Sequence, residues 1–150
     1  MQTIEFHRDR YLISTDPARL DITAIHDFLT NESYWAKGIQ RETVEKAIAH
    51  SLCFGVYEAG QQIGYARVIS DYATYGYLDD VYLLESYRGK GLGKWLMECV
   101  VSHPELQTLR RFMLATRHAQ KFYNQFGFNA LKYPDRHLER LALDFYKQIP

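Results

Sequence analysis

The sequence feature that most constrains the fold is a glycine- and cation-rich segment that joins a strand-like run to an amphipathic run within residues 77–100, YLDDVYLLESYRGKGLGKWLMECV. β-Branched, aromatic and aliphatic residues end near Leu84, and the segment RGKGLGK follows after a short link. Apolar residues then recur at helical spacing, which predicts a helix with one buried face. They are Leu92, Trp95, Leu96, Cys99 and Val100.

The start of a helix carries unpaired backbone N–H groups and the positive end of the helix dipole, and both favour phosphate oxygens. Gly89, Gly91 and Gly93 have no β-carbon, so the backbone can reach positive φ and approach an anion closely. The interleaved cations add donors around the same point. Residues 88–94 are therefore predicted to bind a diphosphate.

Two nucleotide-binding motifs do not fit this loop. A nucleotide-hydrolase phosphate loop would need glycine at Arg88 and a hydroxyl residue at Trp95. A dinucleotide fingerprint starting at Gly91 would need a third glycine at Leu96. A glycine-rich turn without a ligand is the simpler alternative, and the interleaved cations disfavour it.

Whole-chain composition limits the function classes. The length of 150 residues predicts one domain, residues 1–150. Eighteen basic and eighteen acidic residues cancel, so we expect neither nucleic acid nor a membrane as partner. Cys53 and Cys99 are expected to be reduced thiols of a cytoplasmic protein, because no signal peptide or membrane span is visible. Histidine and cysteine spacing predicts no metal site.

Apolar patterning and turn residues predict the order of the elements. We expect strands at residues 4–14, 52–58, 62–69, 77–84, 111–116 and 137–145, and helices at residues 17–30, 42–50, 92–100 and 118–126. The turn at residues 59–61 makes the second and third strands a hairpin. Three consecutive antiparallel strands are therefore expected before the glycine loop.

The pattern R-x-x-G-x-G, carried by Arg88, Gly91 and Gly93, resembles that of the GNAT superfamily of acyl-CoA-dependent N-acetyltransferases. Downstream, AQKFYNQFGF at residues 119–128 is similar to that family's A-x-x-[LF]-Y-x-x-x-G-F segment. The resemblance implies an α+β fold of three-layer α/β/α type. Its central sheet would be mixed, mostly antiparallel, with splayed central strands.

The resemblance also implies acetyl-CoA as the cofactor. Backbone groups of Val81, Tyr82 and Leu83 would bind its pantetheine arm, and a backbone N–H near Val81 would polarise the thioester carbonyl. The diphosphate would lie on Arg88, Gly89, Lys90, Gly91, Leu92, Gly93 and Lys94. Many relatives have Asn where Thr116 stands, so only a hydroxyl contact to the cofactor is expected there.

Tyr123 lies in the second motif, and the resemblance makes it the general acid that protonates the departing CoA thiolate. Asp71, Asp79 and Asp80 are the acids near the expected splay, and Asp80 is the candidate general base. Period-two alternation places Asp80 on the face of Leu78 and Tyr82, opposite Asp79, and Arg67 is able to pair with either carboxylate. An acceptor amine of low pKa would need no protein base.

The implied reaction is direct transfer of an acetyl group to a primary amine of a small molecule in a ternary complex. Related folds place the acceptor pocket where five candidate residues stand: Tyr34, Trp35, Asp71, Tyr75 and Tyr77. Two alternatives stay open, an acetyltransferase acting on protein or peptide amines and a catalytically silent acyl-CoA-binding sensor or interaction module. The oligomeric state is also open, with a homodimer as one alternative.

Overall fold

A six-stranded sheet runs through the computed structural model, which describes residues 1–143 and 145–147. Its strands are β1 (Glu5–Arg8), β2 (Tyr11–Ser14), β3 (Leu52–Glu58), β4 (Gln61–Ser70), β5 (Tyr75–Leu83) and β6 (Arg111–Leu114). Neighbours in the sheet follow chain order, and each pair is antiparallel except the parallel pair β5–β6. The mixed sheet confirms the predicted fold class.

Helices cover both faces of the sheet. They are α1 (Ile22–Asn31), α2 (Arg41–Ala49), α3 (Leu92–Val101) and α4 (Gln120–Asn124). Leu96 and Val100 of α3 pack with Phe54 of β3 on one face, and Phe122 of α4 packs against the same core. On the other face, α1 and α2 pack with Tyr65 and Tyr82. No helix among residues 1–143 and 145–147 has the length and apolar character that crossing a bilayer requires.

The N-terminal strand predicted at residues 4–14 is instead the β1–β2 hairpin. Arg8 pairs with Tyr11, and Asp9 in the turn has a φ of 51°. Asp tolerates this left-handed conformation better than most residues, so the chain reverses without a glycine. The prediction of one continuous strand was wrong because the turn carries no glycine or proline signal.

The first predicted helix, residues 17–30, is interrupted. Asp16 caps a short 3₁₀ turn, Pro17–Arg19, by accepting a hydrogen bond from the backbone N of Ala18 at 2.9 Å. Asp21 then caps α1 by accepting from the backbone N of Ala24, also at 2.9 Å. The second capping residue restarts the helix in a new direction.

The strand predicted at residues 137–145 is also wrong: residues 137–143 form no strand, and Asp144 lies outside the described residues. The 3₁₀ turn Pro134–Arg136 precedes this segment, and Arg111 contacts His137 through side chains alone, with Nη1 2.7 Å from Nε2. Because no backbone ladder forms with β6, the alternating leucines stay in solvent, and Leu138 is 98% exposed.

Candidate active site

The sheet opens between β5 and β6. Their pairing runs from Tyr75 with Arg111 to Leu78 with Leu114, where β6 ends. β5 continues to Leu83, so the backbone of residues 79–83 has no ladder partner on the β6 side among the described residues. Unpaired backbone groups need other hydrogen-bond partners, and a ligand can supply them. This is the predicted splay.

A β-bulge in β5 sets the directions of the acidic side chains. Tyr65 pairs with Tyr82 and Arg67 with Asp79, so Asp80 and Val81 together stand opposite one residue of β4. Asp80 has a φ of 52°. An extra residue breaks period-two alternation, because it turns the following side chains to the other face.

The predicted placement of Asp80 is therefore corrected. Leu78 faces the α3 side of the sheet and Tyr82 the α1 side, where Tyr82 stacks on Phe28 with ring centroids 3.7 Å apart. Asp79 and Asp80, which alternation placed on opposite faces, both contact Arg67.

Arg67 connects the two carboxylates. Its Nε donates to Asp80 Oδ2 at 2.8 Å, and its Nη2 donates to Asp79 Oδ2 at 2.9 Å. The indole Nε1 of Trp35 donates to the other Asp80 oxygen, Oδ1, at 2.8 Å. Both oxygens of Asp80 are thus engaged, and its side chain is only 8% exposed.

Asp79 is the more accessible carboxylate, because its side chain is 32% exposed against 8% for Asp80. Burial and the neighbouring charge of Asp80 raise the pKa of Asp79, and Arg67 opposes this rise. Asp79 is therefore suited to exchange a proton closer to neutral pH than an ordinary aspartate.

The glycine loop has the geometry of an anion site. Gly91 caps α3 with a φ of 78°, and Gly89 has a φ of 74°. A β-carbon at either glycine would meet no atom within 4 Å, so the loop surface is open to a ligand. The first N–H groups of α3, from Leu92 onward, point out of the helix start without intrahelical partners. These features fit a diphosphate.

The loop is fixed to the end of β5. Arg88 Nε donates to the carbonyl of Leu83 at 3.0 Å, so this side chain ties the loop to the splayed strand. Tyr87 donates to Glu58 Oε2 at 2.6 Å, and the Lys90 ammonium lies 5.3 Å from the Tyr87 ring centroid. The segment that leads into the loop is thus held to Leu83 of β5 and to Glu58 of β3.

Tyr123 projects from α4 toward the splay. Its ring packs edge-on against Phe122 and Phe128. Burial raises the pKa of Tyr123 to about 12, so the phenol keeps its proton at neutral pH. Its hydroxyl makes no hydrogen bond within the part of the chain that is described, which leaves it available to a ligand.

A cavity of about 410 Å³ joins the splayed part of β5, the two carboxylates and Tyr123, and the glycine loop lies outside its lining. Of the residues predicted from sequence, it brings together Tyr34, Trp35, Tyr77, Asp80, Val81, Thr116 and Tyr123. Asp79 also lines it, an acid that sequence reasoning placed near the splay but did not choose, and so do Arg117 and His118, which were not predicted. Arg117 lies over the Tyr34 ring at 4.4 Å, and its backbone N donates to Tyr34 Oη at 3.1 Å. This contact ties the α1–α2 connection to the β6–α4 connection across the cavity.

Eleven predicted residues do not line this cavity: the seven loop residues 88–94, and Tyr82, Leu83, Asp71 and Tyr75. Tyr82 and Leu83 are buried in the two cores, so only their backbone faces the splay. Asp71 holds its own turn by accepting from the backbone N of Thr74 at 2.8 Å, and these hydrogen bonds lower its pKa. Tyr75 is exposed and contacts Met113 Sδ at 3.4 Å.

Thr116 lines the cavity, and its Oγ1 accepts a hydrogen bond from the backbone N of Ala119 at 3.2 Å. The two cysteines are buried away from this cavity. Burial raises the pKa of Cys53 to about 11 and that of Cys99 to about 12. Neither thiol is suited to act as a nucleophile.

Comparison with known proteins agrees with this geometry. Residues 49–130 match the family described as acetyltransferase (GNAT) domain. A protein of Gibberella zeae named a "putative acetyltransferase" is 35% identical over 131 residues, which cover 73% of each chain. A crystal structure from Xanthomonas campestris pv. campestris, described in the same terms as a GNAT family protein, is 46% identical with a TM-score of 0.90. That alignment covers 93% of this chain and 99% of the other.

An open loop at a helix start beside two splayed strands defines an acyltransferase site, and the chain belongs to the GNAT family of acetyltransferases. Members of this family use acetyl-CoA. A GNAT acetyltransferase from Elizabethkingia anophelis, with acetyl-CoA bound, shares the fold at 16% identity and a TM-score of 0.61. That alignment covers 90% of each chain.

Proposed function

We propose that this protein is an N-acetyltransferase that moves an acetyl group from acetyl-CoA to a primary amine of a small molecule. One observation carries the proposal: the splayed backbone of β5, the Tyr123 hydroxyl and a buried carboxylate pair meet in one cavity. A site that only bound CoA would not need a phenol and a carboxylate pair at the thioester end.

The loop residues 88–94 would hold the diphosphate through the N–H groups at the start of α3 and the Lys90 and Lys94 ammonium groups. The backbone of Val81 to Leu83, apart from the Leu83 carbonyl that Arg88 already occupies, would hold the pantetheine arm. When bound, acetyl-CoA supplies an activated acetyl thioester. A backbone N–H near Val81 would donate to the carbonyl oxygen as negative charge develops there.

Tyr123 would act as the general acid. Its phenol holds a proton that the departing thiolate, with a pKa near that of cysteine at about 8.5, can accept as charge builds on sulfur. Burial raises the pKa of Tyr123 to about 12, which keeps the phenol protonated but also makes it a weaker acid, so its proton would be shared with the sulfur only while charge builds there in the transition state. Tyr123 Oη would then recover a proton from solvent or from the product side of the cavity.

The acceptor arrives mostly as an ammonium ion and must lose one proton before its nitrogen lone pair can attack. Asp80 was the sequence candidate for this base, but both carboxylates accept two hydrogen bonds, and the Asp80 side chain is 8% exposed against 32% for Asp79. We propose instead that Asp79 takes the proton at its carboxylate, and that Asp80 and Arg67 hold Asp79 in position.

The test is an amine and peptide panel incubated with acetyl-CoA, with free thiol and acetylated product measured together. The proposal expects thiol and acetylamine in a one-to-one ratio with at least one small primary amine. CoA binding by calorimetry without turnover on any amine would instead support a binding module. Turnover on peptides alone would indicate that the acceptor is a protein or peptide amine and not a small molecule.

A further inference from the structure

A second cavity, of about 200 Å³, lies between α1, α2 and the sheet. It shares Trp35, Asp79 and Asp80 with the first cavity, so the carboxylate pair forms a common wall. The rest of its lining is mainly aliphatic, from Ile25, Leu29, Ile39, Val44, Ala47 and Ile48. One end is therefore charged and the other apolar.

The size of this cavity suits a compact apolar group. An engineered cavity of about 150 Å³ in another protein stays dry and binds benzene, so about 200 Å³ can accept a phenyl group or a chain of several carbons. Filling it removes apolar surface of the ligand from water, which is favourable. Thr43, Tyr65 and Tyr146 also line the cavity, and the Tyr65 hydroxyl already contacts Cys53 Sγ at 3.1 Å.

Charge adds a second selection. Arg67 is the one lysine or arginine among the described residues that line the second cavity, and Asp79 and Asp80 both pair with it. A carboxylate or phosphate on the acceptor would meet this acidic wall without an available cation. Burial of an unpaired anion is costly, so anionic acceptors are disfavoured.

We propose that the acceptor is a primary amine with an apolar, uncharged substituent, that Asp79 receives its ammonium group, and that the second cavity holds its substituent. This inference rests on the proposed acetyltransferase function and narrows its substrate class. The amine nitrogen then lies at the wall between the two cavities, facing the thioester end of the first.

The experiment compares hexylamine, ethylamine and 6-aminohexanoate. The last is hexylamine with a carboxylate in place of its terminal methyl group. We expect kcat/KM for hexylamine to exceed that of either other amine by about tenfold or more, because ethylamine lacks four methylenes that the pocket would bury and 6-aminohexanoate would bury an unpaired carboxylate. Equal or higher kcat/KM for 6-aminohexanoate would overturn the inference.

Ala47→Leu fills part of the second cavity, and Ala49→Leu makes the same change on the exposed side of α2. Ala47→Leu should raise KM for hexylamine about tenfold and leave ethylamine unchanged. Ala49→Leu should change neither. An Ala47→Leu variant that folds and keeps its hexylamine KM would count against the assignment.

Calorimetric binding of hexylamine to the CoA-saturated protein separates this inference from the proposed function. If no amine is acetylated, but hexylamine binds more tightly than ethylamine and Ala47→Leu abolishes that preference, the proposed catalysis fails and the binding assignment stands. If hexylamine is acetylated but binds no more tightly than ethylamine, the binding assignment fails and the catalysis stands.

Discussion

The cofactor end and the acceptor end of the candidate site are built in different ways. The cofactor end is a contiguous loop, residues 88–94, whose backbone N–H groups and glycine conformations make the site. The acceptor end joins Trp35, Arg67, Asp79 and Asp80 through side-chain contacts between distant parts of the chain. The loop should therefore be most sensitive to backbone changes, and the acceptor end to the loss of a single side chain.

Arg67→Ala tests the acceptor end with the largest expected effect. It leaves two carboxylates near each other without their cation, and breaking a buried ion pair in this way costs about 3 kcal/mol or more. Urea denaturation at pH 7 measures the loss. The control Arg41→Ala breaks the exposed Arg41–Glu45 pair and should cost less than about 1 kcal/mol. Equal losses of unfolding free energy in the two variants would show that the Arg67 ion pairs stabilise the fold no more than an exposed pair does.

Gly91→Glu tests the cofactor end. The substitution strains a backbone with a φ of 78° and places a carboxylate where the diphosphate should lie, so CoA affinity should fall by about a hundredfold or more. Calorimetry with CoA measures it. Gly60→Glu is the control, because Gly60 has a φ of 79° in a turn away from the site and also has open space around it. If Gly91→Glu binds CoA as tightly as wild type, residues 88–94 do not bind the diphosphate.

Asp79→Asn separates the roles of the two carboxylates. A base must be ionised to act, so kcat/KM should rise with pH through the raised pKa of Asp79. Asp79→Asn should lose this rising limb and about tenfold in kcat/KM above that pKa, where wild-type Asp79 is ionised. The remaining activity comes from amine that is already neutral in solution, and it should rise with pH only through the pKa of the amine. If Asp80→Asn removes the rise of kcat/KM with pH and Asp79→Asn keeps it, Asp80 is the base and Asp79 the positioning carboxylate.

Asp71→Ala should have the smallest effect on catalysis. Asp71 was a sequence candidate for acceptor binding, yet its side chain holds the turn before β5. We expect kcat/KM within about twofold of wild type, the size of effect normal for surface positions. A tenfold loss with unchanged stability would return Asp71 to the acceptor site.

Sequence reasoning succeeded where the structure depends on neighbouring residues. The glycine loop, α3, the β3–β4 hairpin and the strand ending in the splay follow from local turn chemistry and apolar periodicity. The bulge at Asp80 could not be predicted from local sequence patterns, because its position depends on the register of β4 against β5. Alternation therefore gave the wrong face for Asp80 and hid Asp79.

The prediction of a C-terminal strand at residues 137–145 failed for a related reason. The alternating leucines of this segment suit a strand, but a strand also needs a neighbouring ladder, and residues 137–143 have none. In the same way, Arg117 was not predicted because its contact with Tyr34 joins residues far apart in the chain. Patterns along the chain do not report such long-range contacts.

The most direct test of the central claim is the turnover of Tyr123→Phe with an accepted amine. The substitution removes one hydroxyl from the buried ring, so we predict a fall in kcat of about a hundredfold with CoA affinity unchanged. Tyr75→Phe, which changes an exposed tyrosine of β5 outside the cavity, should keep wild-type kcat. Wild-type kcat in Tyr123→Phe would contradict the account, because the cavity would then not use its phenol for proton transfer.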